Sequence, residues 1–429
     1  MPNETSPASG DDRFAPLSDI RVIELGRFAA GPACATVLAD WGADVIKIEP
    51  PEGDPARNRG VERQGAGRAN PRFEVHNRSR RSVVLDLHVP SGRAAADRII
   101  ATADVLVTNL SPQALDGLSM GAETLRARHP RLIFAQVTGY DAGSPMSAER
   151  SYDHGAYWSY SGAASLFAGP DGQPPQPAGG FGDRAAGSML AGAVAAALLA
   201  RQRTGTGSHL TTSLASTGMW LMASDVSDIL NTGRIARSSD RRQAQVPTIN
   251  CFRTSDARWL WLQVMEPERD WQRLVAALDA PWLDEDPRFR GGELARLRAH
   301  GPALIELLDE VFRTHSLLDW ANRLSAHRLI WAPVRGLEEA VADSAAHSSP
   351  AVLRFDDEFG APHVSVSTPV RFDGAIPRPA TRAPGAGENT LEVLEAAGLT
   401  VAEVSELRQD GATEAGALGK ANPAAPANA

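Results

Sequence analysis

Lysine is almost missing from this 429-residue chain: of its 43 basic residues, only Lys47 and Lys420 are lysine. Anion recognition therefore falls mainly to arginine, whose planar guanidinium forks onto carboxylates and phosphates. Cysteine is equally scarce. Cys34 and Cys251 cannot make a disulfide framework, and without a C-x-x-C or Cys/His cluster no metal site is expected. Long apolar runs are absent too. The longest, Ala185 to Ala200, is Ala-rich, is broken by Gly and Ser, and is shorter than a membrane span requires. The opening "MPNETSPASGDDRFAP" has no basic segment followed by an apolar one, so no signal peptide, no membrane partner and a cytoplasmic location are expected. A net charge of −9 argues against a nucleic-acid binder, which needs a basic surface.

What is present is a 43% hydrophobic composition, enough for a sizeable core. From Ile20 to Ser213, β-branched runs alternate with helical patterns: "IRVIEL", "GPACATVLADWG", "ADVIKIE", then "RSVVLDL", "SGRAAADRIIATA", "DVLVTNL". This rhythm predicts an α/β, Rossmann-like domain with a parallel sheet. "INCFRTSDARWLWLQVM" reads as a hairpin turning near Ser255-Asp256-Ala257, and three helical patterns follow it. The expected organisation is a flexible segment 1–17, a large domain 18–230, a linker 231–244, a small α+β domain 245–335, a return to the large domain over 336–408, and a disordered tail 409–429.

Three stretches carry chemistry. In "GGFGDRAAGSMLAGAVAAALLARQRTGTG" a lone Asp183 heads a long helical run. It reads either as a helix N-cap or as a reactive carboxylate held by the same amides. "NRSRRS" (Asn77 to Ser82) reads as a solvated loop or a phosphate-binding corner. "SYDHGAYWSYSG" offers Asp153, His154, Tyr157 and Trp158, as packing or as an acid–base pair of His154 with Asp183. "VIELGRFAAGPACATVLADWG" has Gly26 and Gly31 but no middle glycine, which argues against a nicotinamide site. No G-x-S-x-G elbow supports a serine hydrolase.

Taken in order, "IRVIELGRFAAGPACATVLADWGADVIKIEPPEGDPAR", "NRSRRSVVLDL", "ADVLVTNLSPQALDGL", "RLIFAQVTGY", "GGFGD", "ARQRTGTGSHLTTSL", "DEDPRFRG", "APVRGLEEAVAD" and "STPVRFDGAIPRP" resemble the family III CoA-transferases, which include formyl-CoA and carnitine CoA-transferases. The resemblance implies a CoA-binding large domain made from both chain ends, a smaller inserted domain and an interlocked homodimer. It also implies a covalent relay on Asp183, with acyl-CoA and a carboxylic acid as substrates. CoA is then substrate and product, and no cofactor is tightly bound. Candidate CoA contacts are Arg27, the turn Ala29-Ala30-Gly31, Arg78, Arg80, Arg81, Asn109, Leu110 and Thr138. Gly180 and Gly182 give the thioester room.

The chain has Ala29, Gly117 and Thr138 where formyl-CoA transferases have Gln, Arg and Lys, and it shows no glycine-rich lid, which argues against formyl/oxalate specificity. Two alternatives share the fold. One is an α-methylacyl-CoA racemase, whose His falls on Asp153 here, beside His154. The other is a catalytically silent partner subunit. Tyr157, Trp158 and Tyr160 suggest a bulky or aromatic acid, or packing.

Overall fold

The protein, described here from a computed structural model, is defined over residues 15–59, 69–169, 171–233, 240–346, 351–377 and 379–413. These fall into two compact units: the described parts of Met1–Ala163, Gln176–Ser227 and Ser349–Ala429, and those of Ala164–Pro175 and Asp228–Ser348.

The first unit is built on six parallel strands: β1 (Arg21–Leu25), β2 (Asp44–Glu49), β3 (Arg81–Val84), β4 (Val105–Thr108), β5 (Ile133–Thr138) and β6 (His209–Ser213). Their order is β3-β2-β1-β4-β5-β6, with Ile23 opposite both Ile46 and Leu106. The order reverses between β1 and β4, so the loops after these strands part there and leave a crevice at their carboxyl ends.

Apolar residues on both sides of each strand demand cover on both faces. Val22, Val105 and Val107 pack under α1 (Ala30–Asp40) and the long helix Phe181–Thr204. Ile23, Ile46 and Leu106 pack on the other side with the helix Pro90–Ile100, which follows α2 (Pro71–Asn77) in sequence, and with helices Thr390–Ala396 and Val401–Gln409 from the far end of the chain.

The second unit pairs β7 (Ile249–Arg253), β8 (Trp259–Gln263) and β9 (Trp331–Val334) antiparallel. Helices Pro267–Leu278, Gly301–Phe312 and Leu317–Ala326 cover one face around Trp271, Phe312 and Trp320.

Several expected boundaries move. Leu17 is buried and its N–H donates to Trp41 O (3.1 Å), so the segment called flexible is packed by residue 15. At the other end, Asp86 N donates to Ala412 O (2.8 Å) and Thr413 Oγ1 to Val84 O (2.8 Å). The expected tail is therefore folded through 413, and its remainder lies outside the described residues. In the expected linker, Arg241 pairs with Asp309 and donates to Cys251 O, which ties it into the second unit. The second unit also keeps helix Leu337–Ala346, through Arg258–Glu339 (2.8 Å), and the first unit resumes only at 349. The run read as too short for a membrane belongs to a 24-residue helix, long enough by length and composition to cross one. Its inner side is nevertheless committed to the sheet, with Leu190, Val194 and Leu198 in the core.

The single described lysine explains how the β1–α1 loop is held. Lys47 Nζ sits 2.7 Å from Glu24 Oε1, 2.9 Å from Asp54 Oδ2 and 3.0 Å from Gly26 O, fully enclosed. The ammonium donates hydrogen bonds to Glu24 Oε1 and Gly26 O and forms an ion pair with Asp54, a compact set of partners suited to a point charge. Asp54 then accepts from Phe28 N (3.3 Å), a residue held at φ 61, in the left-handed region that costs a bulky side chain energy. Lys47→Met should destabilise the fold by about 3–5 kcal/mol, because Glu24 and Asp54 would lose a buried partner. Urea unfolding of the variant checks this.

Candidate active site

The carboxylate of Asp183 opens into a cavity of about 900 Å³ within the first unit. Its position follows from two close approaches of backbone. At Gly187 the long helix crosses α1 so tightly that a Cβ would lie 2.8 Å from Ala30 O and from Cys34 N. The start of that helix at Phe181, six residues earlier, therefore lies near the N-terminus of α1. At Gly182 a Cβ would collide with the Tyr157 ring and with Asp153 Oδ1.

The helix start corrects one reading of the sequence. Gly180, at φ 86, occupies the N-cap position, and Asp183 sits in the first turn without capping it. The cap comes from Asp153, whose two carboxylate oxygens accept from Gly180 N and Gly182 N, each at 2.7 Å. A carboxylate from another segment thus satisfies the orphan amides. Asp183 is freed from that task, and no hydrogen bond or ion pair to a described residue holds its carboxylate. Burial, and then the negative charge of Asp153, push its pKa from 3.8 up to about 6, while Arg184 and His154 pull it the other way.

Several expected residues do meet here. Ala29, Asp153, His154, Gly180 and Asp183 all line the cavity. Ala29 gives α1 no side-chain cap, so the first-turn amides of Ala30 and Gly31 remain uncapped beside the wall. Asp153 is occupied by its two amides and is a structural acceptor, not a free base. His154 is exposed, with Nε2 3.0 Å from Pro177 O.

Others are elsewhere. The Tyr157 ring is buried against Gly182, and Trp158 packs edge-on to Tyr157 and Phe181, so neither shapes the cavity. The "NRSRRS" arginines are largely consumed by ion pairs. Arg78 is bound to Asp40 (2.7 Å) and Arg80 to Glu24 and Thr36, both with buried side chains that present no charge to a ligand. Arg81 pairs with Asp44 and Glu392, both at 2.7 Å. Thr138 Oγ1 donates to Tyr140 O (2.7 Å). Asn109 closes the β1–α1 loop, accepting from Arg27 N (2.9 Å) and donating to Arg27 O (2.8 Å). Arg27 and Leu110 line a second, smaller cleft beyond the carboxyl ends of β1 to β3, with Leu25, Pro50, Leu87 and His88.

The sequence reading missed much of the cavity wall: Phe28, Tyr140 and Tyr152 among aromatics, and Arg59, Arg72, His76, Arg150 and Arg184 among polar groups. Arg72 and His76 are four apart on α2, a helical spacing that places both on one side. Burial, and then Arg184, lower the His76 pKa to about 4, so its imidazole is neutral at physiological pH. Among the described residues no group of three or more His, Cys, Asp or Glu is placed to hold a metal ion.

The sequence model of CoA-transferase family III matches residues 17–390. The chain belongs to that family. A CoA-transferase of family III is also what the named relatives are like. The (R)-2-hydroxy-4-methylpentanoate CoA-transferase of Clostridioides difficile is 28% identical over 394 residues, spanning 91% of this chain and 98% of its own. The cinnamoyl-CoA:phenyllactate CoA-transferase of Clostridium sporogenes is 28% identical over 404 residues, spanning 92% and 96%. The crystal structure of a CAIB/BAIF family protein from Brucella suis superposes with a TM-score of 0.77 at 27% identity, over 89% of this chain and 99% of that one.

Replacing Asp153 with Asn tests its role in this CoA-transferase. One of the two amide bonds and the negative charge are lost, so stability should fall by about 1–2 kcal/mol. The acid limb of the pH–rate profile should shift to lower pH, because the charge that helps raise the Asp183 pKa is gone. Thermal melts and a pH series of kcat/KM measure the two effects.

Proposed function

We propose that the protein is an acyl-CoA:carboxylate CoA-transferase in which Asp183 is the nucleophile. The observation that carries this reading is a partly buried carboxylate with no hydrogen-bond or ion-pair partner among the described residues, facing a large cavity at the meeting of two helix N-termini. Poor solvation keeps a carboxylate reactive, and uncapped amides beside it stabilise an oxyanion.

The relay runs in four balanced steps. Asp183 attacks the donor thioester carbonyl, its C–S bond breaks, and a mixed anhydride and the CoA thiolate result. The thiolate attacks the aspartyl carbonyl, releasing the donor acid and leaving an aspartyl-CoA thioester. The acceptor carboxylate attacks that thioester, forming a second anhydride and freeing the thiolate again. Thiolate attack on the acceptor carbonyl yields the new acyl-CoA and restores Asp183. The uncapped Ala30 and Gly31 amides serve the oxyanions in this scheme. The cleft holding Arg27 and Leu110 takes the nucleotide end of CoA, with His88 as a further contact.

An interlocked homodimer belongs to the same reading, supported by exposed Met219 and Trp220 on the helix Leu214–Leu221, which a second copy would cover. Cytoplasmic location and the absence of a tightly bound cofactor belong to it as well. The racemase alternative has one observation in its favour, that His154 lines the cavity with Asp183. Deuterium wash-in at the α-carbon of a 2-methylacyl-CoA, lost in His154→Ala, would establish it instead.

Asp183→Asn should lower transfer at least about a thousandfold with the fold intact. The same variant should be the more stable protein at pH 7, by up to about 3 kcal/mol. The folded-state pKa lies above the ordinary value, so the native state loses stability as pH rises from 3.8 through about 6 and Asp183 ionises. Wild-type kcat/KM should fall below about pH 6, where the nucleophile takes up a proton. Near-normal turnover in the Asn variant would refute the nucleophile assignment.

A further inference from the structure

The cavity around Asp183 carries more positive charge than the relay requires. Arg59, Arg72, Arg150 and Arg184 all line it, and none forms an ion pair with a described residue. All four are exposed in the cavity, whereas the arginines beneath the β1–α1 loop, Arg57 and Arg80, are each matched to a carboxylate. The acidic groups in the wall are Asp183 and Asp153, the latter bound to two amides. His76 adds no charge. A chain with a net charge of −9 has thus gathered around one pocket four guanidinium groups that have no ion-pair partner among the described residues.

Position separates two sources for the anion that would answer them. The CoA phosphates lie a full pantetheine arm away from the sulfur, whereas Arg184 directly follows the residue that must touch the thioester carbonyl. Its guanidinium also stays close to the helix start, 5.9 Å from the Phe181 ring centroid and beside Gly180. Arg72, on the first turn of α2, lines the same cavity, and α2 also carries His76, whose pKa Arg184 lowers. Both arginines line the cavity that Asp183 faces, whereas the smaller cleft with Arg27 and Leu110 is the one assigned above to the nucleotide.

We propose that the acid moved by this enzyme carries a second carboxylate, held by Arg72 and Arg184 while its thioester carbonyl faces Asp183. The inference rests on the CoA-transferase reading for the identity of the thioester. Guanidinium forks suit a carboxylate bidentately, and an acyl group that ends in a methyl offers these exposed guanidiniums no partner when it enters the cavity.

The test is binding, measured by calorimetry on the full chain carrying Asp183→Asn, so that neither turnover nor hydrolysis intervenes. Glutaryl-CoA and pentanoyl-CoA share CoA and chain length and differ in the terminal carboxylate. Glutaryl-CoA should bind at least about tenfold more tightly, and adding Arg72→Gln or Arg184→Gln should reduce that ratio about tenfold. Equal affinities for the two thioesters would overturn the proposal. So would arginine variants that weaken both thioesters and free CoA alike, since that pattern assigns the guanidiniums to the CoA phosphates. Because the readout is affinity, a failure of the nucleophile assignment would leave this result interpretable by itself.

Discussion

Two hydrogen bonds accepted by one carboxylate organise the candidate active site. By accepting from Gly180 N and Gly182 N, Asp153 terminates the long helix from outside and draws the π-helical segment His154–Tyr160 against it. That contact is possible only because residue 182 has no side chain. It leaves Asp183 in the first turn with no partner among the described residues, and it sets a second negative charge close enough to raise the Asp183 pKa. Helix capping and the raised pKa of the proposed nucleophile are thus one arrangement, divided between two aspartates.

The opposite wall depends on a buried charge network. Lys47 joins Glu24, Asp54 and the Gly26 carbonyl, Arg80 extends the network to Thr36 and the His76 carbonyl, and Glu49 binds Arg57 and Ser82. Burial opposes ionisation of Glu49, yet Arg57, Lys47 and Ser82 hold its pKa at about 2. Such networks add little net stability, but removing one member is costly because the others stay buried. Here the network fixes the loop that presents Phe28 and Ala29 to the cavity. Charge pairing beneath the loop and unpaired charge around the pocket are opposite uses of the same residue type.

The parallel sheet was legible because period and composition dictate it: strands buried on both faces read as continuous β-branched runs, and helices lie between them. The pairing of Ser255-Asp256-Ala257 with a hairpin was equally local. Asp183 was legible through an ordered set of motifs rather than through its own surroundings. The arginines of "NRSRRS" misled for a physical reason. A basic cluster before a strand looks alike whether its partners are phosphates or the distant Asp40, Glu24 and Glu392, and partners that far apart in sequence leave no local trace. Conversely Arg72, Arg150 and Arg184 are separate in sequence and become a cluster only when α2, the segment before Asp153 and the long helix converge.

The central claim is that Asp183 bonds covalently to the transferred groups. Intact-protein mass spectrometry after mixing with an acyl-CoA donor, with hydroxylamine or borohydride trapping and peptide mapping, addresses it directly. The account predicts a modification on the peptide containing Asp183, absent from the Asp183→Asn variant. Steady transfer of CoA with no trappable adduct, or an adduct mapped to another residue, would contradict it.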